Sequence, residues 1–194
     1  MANIILNPAI QIISGDVAGF VYRQQADGSV TLAKKPVLDP DRELSEAQTE
    51  HIQKFKEASA RYRRLMEDAG LQTAYQKVLE ERGSKRMRAL VIGDILRAPK
   101  VSTIDLSKYA GEIGNPIRII AEDSVGVSRL TLRITDVTSS QVVESAEMPM
   151  NDKVSSTVEW EYLATQAVEA GHEIQVHVSA YDLAGNVIEA DQAK

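Results

Sequence analysis

The chain has no cysteine among its 194 residues. That excludes disulfides, thiol nucleophiles and cysteine-ligated zinc together, and it suits folding in a reducing compartment. No stretch approaches the roughly 18 consecutive apolar residues of a membrane-spanning helix, so no membrane span is expected. The opening "MANIILNPAIQIISG" has no basic residue ahead of its apolar part, and Asn7-Pro8 interrupts the run, so it does not read as a secretory signal. Synthesis in the cytoplasm is the expectation, and a final place in an extracellular or virion assembly is compatible with it. Histidine is scarce too. His51 lies on a charged helical stretch without a partner at metal-ligand spacing, and His172 and His177, five apart, point to opposite faces of a strand. No elbow motif surrounds a serine or threonine. No catalytic residue, metal or cofactor is therefore expected, and the chain reads as a non-enzyme.

What is present is a 43% hydrophobic content, enough for a proper core in one or two compact units. Charge is divided unevenly. Residues 1–100 carry 16 Lys+Arg against 13 Asp+Glu, and residues 101–194 carry 6 against 15, giving +3 and −9. Two parts of different character meet near Pro99. Neither is basic enough for a dedicated polyanion binder, while the opposite signs permit head-to-tail contact between copies.

The stretch "ISGDVAGFVYRQQADGSVTLAKKP" raises the question of a phosphate cradle, with Gly15, Gly19 and Gly28 among basic residues. Such a cradle needs a glycine turn leading from a strand into a helix. Here Gly19 runs into Phe-Val-Tyr and more strand. The alternative is a hairpin, residues 20–24 against 30–34 around the tight-turn dipeptide Asp27-Gly28, with Gly15 and Gly19 marking a bend or close backbone approach.

Helices follow. Ser45-Glu46-Ala47-Gln48 has the form of a capping box, and Ile52, Phe55, Ala58, Ser59, Tyr62, Met66 and Ala69 recur at helical spacing up to Gly70. A second helix is expected over 71–82 and a third over 84–97, with Met87, Leu90, Val91 and Ile95 inward and Pro99 as the stop. Arg61, Arg63, Arg64, Lys85, Arg86 and Arg88 invite comparison with a DNA-binding helix-turn-helix. Glu57, Glu67, Asp68, Glu80 and Glu81 lie among them, so a solvated face is the better reading, and nucleic acid is an unfavoured partner.

From residue 100 onward the pattern has period two. Ile117, Ile119 and Ala121 share one side, as do Leu130, Leu132 and Ile134, then Val158, Trp160 and Tyr162, then Ile174, Val176, Val178 and Ala180. With 101–107, 141–148 and 186–189 this makes six or seven strands, the count of a small sandwich. Trp160, the sole tryptophan, is its expected core anchor. The form A-x-D-x-x-G occurs twice, through Asp123 and Gly126 and through Asp182 and Gly185 with Asn186 behind it. Aspartate can bond the backbone two residues on, and glycine takes positive φ freely, so each reads as a turn. A calcium site from Glu122, Asp123, Asp182 and Asn186 is the competing reading, set aside because no close-spaced acidic loop is present.

Residues "IRIIAEDSVGVSRLTLRITD", "VEWEY" and "IQVHVSAYDLAGN" resemble bacterial immunoglobulin-like domains, in which a strand ending in A-x-D-x-x-G-N precedes a short last strand. The resemblance spans about the last 95 residues and implies an immunoglobulin-like β-sandwich. The first half, with its "IxGxxGxxVYR" start and "SxAQxxHxxxFxxA" helix, is similar to small uncharacterised proteins of bacteria and phages, which brings no catalytic residues.

The expected fold is thus α+β: an N-terminal strand and hairpin (1–43), a helical unit (44–99) forming one N-terminal domain with it, and a C-terminal sandwich (100–194). The apolar, β-prone "ANIILNPAIQII" suits a strand that pairs with a sheet edge. Ile4, Ile5, Leu6, Ile10, Ile12 and Ile13, with Phe20 and Tyr22, are the expected assembly contacts. The functional expectation is a structural subunit that self-assembles into, or coats, a filament, tube or virion, with the N-terminal strand pairing with a neighbouring copy's sheet. The alternative is a monomeric recognition module whose sandwich loops bind a protein or glycan.

Overall fold

The computed structural model describes residues 2–4, 15–17, 19–25, 29–36, 43–148 and 154–194. Helix makes up 26% and strand 43%. The chain divides into two compact units, Met1–Glu46 and Ala47–Lys194. The helices therefore fall in one unit with the strands that follow them, not with the hairpin as the grouping from sequence has it.

The first unit is an antiparallel sheet of β1 (Ala2–Ile4), β2 (Gly15–Val17), β3 (Phe20–Gln24) and β4 (Val30–Lys34), in the order β1-β4-β3-β2. The hairpin forms in the register that its two-sided runs dictate, from Phe20 opposite Lys34 to Gln24 opposite Val30. Gln25 N–H bonds Ser29 C=O at 2.8 Å at the end of the ladder, and Asp27-Gly28 lies outside the described residues. Gly15 and Gly19 hold φ of +124° and +80° where the chain enters β2 and bends into β3, conformations that a side chain would strain. β1 lies on β4 of the same chain, with Ile4 opposite Val30. Phe20 is exposed and Tyr22 half-buried. The remaining expected contacts, Ile5, Leu6, Ile10, Ile12 and Ile13, lie outside the described residues.

The second unit opens with α1 (Glu46–Leu65), α2 (Ala69–Glu81) and α3 (Met87–Ile95). The expected first helix is four residues too long. Asp68 stops it by capping α2, accepting the N–H groups of Gly70 at 2.7 Å and Leu71 at 3.0 Å, so Gly70 sits in the first turn of α2 rather than ending α1. The expected inward stripe of α1 also holds only in its second half, where Ala58 is buried and Tyr62, Leu65 and Met66 pack on the helical core.

Strands β5 (Lys100–Asp105), β6 (Pro116–Asp136), β7 (Gln141–Glu147), β8 (Ser155–Leu163), β9 (Ile174–Asp182) and β10 (Val187–Ala193) form a curled antiparallel sheet. Two expected strands are one: β6 runs through Asp123–Gly126 with a register jump between Glu122 and Val127, so the first A-x-D-x-x-G does not end a strand. Its first part pairs with β5 and β8, its second with β7 and β9, and β9 carries β10. Gly126 allows the bend, since a Cβ there would stand 2.1 Å from Val154 Cγ1. The core takes the alternate residues that the period-two pattern marks, Ile117, Ile119, Leu130, Leu132, Ile134, Val158, Trp160, Val176 and Val178 among them. Trp160 is buried there, edge-on to Tyr162 with ring centroids 5.4 Å apart.

Candidate functional site

A second, smaller core joins the helices to the strands. It contains Tyr75 and Val78 of α2, Val91 of α3, and one apolar residue from each A-x-D-x-x-G segment, Val125 and Leu183. Each segment thus inserts a hydrophobic residue beneath the helices. The same insertion carries each aspartate inward.

The result is a cluster of three carboxylates, Asp94 of α3 with Asp123 and Asp182, whose facing oxygens all lie within 4.8 Å of one another. Asp94 is 0% exposed, Asp182 2% and Asp123 8%. The segments behave locally as turn chemistry demands. Asp123 Oδ2 accepts the N–H of Val125 at 2.8 Å, and Asp182 Oδ1 accepts that of Asn186 at 2.7 Å. Asp94 Oδ2 accepts two bonds, from the Tyr75 hydroxyl at 2.6 Å and the Ala184 N–H at 3.1 Å.

Asn186 ties the surroundings together. Its Nδ2 donates to Asp182 Oδ2 at 2.7 Å and to the C=O of Asp94 at 2.9 Å, a carbonyl at the end of α3 that also accepts the Arg97 N–H at 3.1 Å. Its Oδ1 accepts from Arg61 Nη1 at 3.0 Å, and Arg61 Nη2 reaches the C=O of Ala184. This takes Arg61 out of the expected basic face. Arg88 also leaves it in part, standing over the Tyr62 ring at 6.0 Å.

No described ion pair involves any of the three carboxylates. Two full negative charges 4.8 Å apart repel by about 3–4 kcal/mol at an effective dielectric of about 20. Burial pushes Asp94 up to about 7; the charges of Asp182 and Asp123 add to this, and the Tyr75 hydrogen bond opposes it. Asp182 is raised as well, chiefly by burial, and the Tyr75 hydroxyl is raised by burial and by Asp94. Such a cluster holds protons or a cation.

The expected turn residues Asp123, Gly126, Asp182, Gly185 and Asn186 are therefore brought to one place, with both roles weighed for them in view. Glu122 is exposed and does not belong to the cluster. Asp94 is the residue that sequence reasoning missed. Its signal is a lone carboxylate within the apolar run "ALVIGDIL", on the side of α3 that carries Val91. The histidines stand apart from the cluster: His172 Nδ1 pairs with Asp136 Oδ2 at 2.7 Å, His177 Nδ1 with Asp191 Oδ1 at 2.8 Å, and His51 is exposed. No protein-family model, curated protein or solved structure matches the chain.

Proposed function

We propose that the chain is a non-enzymatic structural subunit that joins copies of itself into a larger particle, a filament, tube or virion coat. One observation carries this reading. Every residue of α1 from Glu46 to Glu57 is exposed, including Ile52 at 39% and Phe55 at 45%. Helices draw most of their stability from a packed apolar face, and two large apolar side chains of this stretch stand exposed. Ile52 and Phe55, three apart, form the start of such a face. A second copy is the occupant that charge favours. Residues 47–100 carry 12 Lys+Arg against 7 Asp+Glu, and residues 101–194 carry the −9 noted above, so the helices of one copy attract the strands of the next. A head-to-tail contact of that kind propagates into rings or filaments.

The strand pairing supports an immunoglobulin-like sandwich as the spacer in this design. The two parts of β6 sort the other strands into β5 and β8 on one side and β7, β9 and β10 on the other, as two facing sheets require. The closed carboxylate cluster supports the non-enzymatic part of the reading.

Light scattering on the full chain tests it. The mass should rise above that of one chain as concentration increases, and fall back with salt. The double variant Ile52→Glu/Phe55→Glu should remain a single chain with unchanged helix content. A wild-type chain that stays single at every concentration overturns the proposal.

A further inference from the structure

Two oxygens of the carboxylate cluster have nothing to bond. Asp94 Oδ1 and Asp123 Oδ1 are enclosed and lack any hydrogen-bond partner among the described residues, while the second oxygen of each is held by the donors described above. Enclosed polar atoms in folded proteins are almost always paired, because an unpaired one forfeits its hydration without return. Both atoms belong to side chains that converge with Asp182 from three separate elements. One oxygen from each of the three carboxylates lies within 4.8 Å of the other two, and the hydrogen bonds on Oδ2 of Asp94 and Asp123 fix those side chains in place.

We propose that Asp94, Asp123 and Asp182 bind one divalent cation, calcium before magnesium, and that this ion clamps α3 to the two A-x-D-x-x-G segments. The donor set is all oxygen and anionic, which selects a hard cation. Calcium takes oxygens at about 2.3–2.6 Å, so two of its ligands stand up to about 5 Å apart, whereas magnesium at about 2.1 Å needs a tighter and more regular cage. The 4.8 Å spread fits the larger ion. Asn186 is a positioning residue here: its Oδ1 is taken by Arg61, and its amide holds Asp182 in place. The ion enters past Asp123, the least enclosed of the three, from an open cleft lined by Arg97, Glu122, Ser124 and Ser156. Water from that cleft completes the coordination. The competing state is protons shared among the carboxylates, and an Asp94→Asn change imitates it, since an amide can still accept from Tyr75 and Ala184.

The test uses the full chain stripped with a chelator and then titrated with Tb³⁺ or Ca²⁺. Tb³⁺ should bind one per chain, emit through the adjacent Tyr75 ring when tyrosine is excited, and be displaced by Ca²⁺. Ca²⁺ should raise the melting temperature by roughly 3–6 °C for each tenfold excess over its dissociation constant. Both responses should vanish in Asp94→Asn/Asp123→Asn. Should that variant fail to fold, Tyr75→Phe decides: it should keep the Ca²⁺ shift and lose at least half of the sensitised emission. A wild-type chain that responds to neither ion overturns the proposal. So does a response undiminished in the double variant, or sensitised emission unchanged in Tyr75→Phe, because the ion then sits elsewhere.

Discussion

The Tyr75 hydroxyl donates to Asp94 Oδ2 across 2.6 Å with both residues fully enclosed, so α2 and α3 are joined by a polar bond inside an apolar contact. Tyr75→Phe keeps the ring and removes the donor. It should cost about 0.5–3 kcal/mol, the net worth of a buried hydrogen bond to a carboxyl group whose oxygen keeps the Ala184 N–H, read as a lower urea midpoint at unchanged slope. A variant as stable as wild type would show the bond to be idle.

Arg61 fastens the second half of α1 to the β9–β10 turn through Ala184 and Asn186. Arg61→Ala should cost about 1.5–3 kcal/mol, as bonds from a charged donor do. Hydrogen exchange should localise the loss, with faster amides at 58–65 and little change in β8.

Two glycines of the same motif should respond differently. At Gly126 a methyl group would meet Val154 Cγ1 at 2.1 Å and Ser155 C=O at 3.3 Å, so Gly126→Ala should cost about 1–3 kcal/mol by overpacking. At Gly185 the nearest atom would be Arg61 Nη2 at 3.6 Å, but φ is +81°, so Gly185→Ala should lose about 1–2 kcal/mol through backbone strain alone. Enlarging space by Val154→Ala should recover part of the first loss, with the φ of +157° at Gly126 and the Ser155 C=O leaving the rest, and none of the second.

The Asp136–His172 pair gives a pH signature. His172 is raised above its ordinary 6.5, first by the hydrogen bond it donates to Asp136, so its contribution is complete below 6.5 and lost as pH climbs through the folded value. Asp136 is lowered from 3.8 to about 2, first by the same bond, so its contribution is complete above 3.8 and lost as pH falls toward 2. The pair is at full strength between those limits. His172→Gln should flatten the alkaline decline of stability that starts near 6.5, and an NMR titration should find His172 above that value. A midpoint at or below 6.5 would contradict the pairing.

The β-part was legible from its alternation, because a strand half-buried on one face writes burial directly into period two. Ile119, Leu132, Trp160 and Val178 needed no structure to be placed inward. The hairpin was equally plain from Asp27-Gly28 between matched runs. What sequence hid was tertiary in origin. Ile52 and Phe55 carry helical spacing yet are exposed, because spacing records only which residues share a face. Asp68 outcompeted Gly70 for the helix break through a capping bond that either residue's neighbours would have allowed. The carboxylate cluster was half visible: Asp123 and Asp182 announced themselves by repetition, yet their convergence depends on Val125 and Leu183 burying beneath the helices. Asp94 could join them only after that packing existed.

β6 belongs to both sets of strand pairs, and this bears on how the molecule is made. The first set closes on residues 116–127 and the second on residues 127–136, so the complete sheet waits for long-range pairing on the millisecond-to-second scale. Amides of Ile119 and Leu132, at opposite ends of that ribbon, should open together in one cooperative event rather than as two separately melting parts.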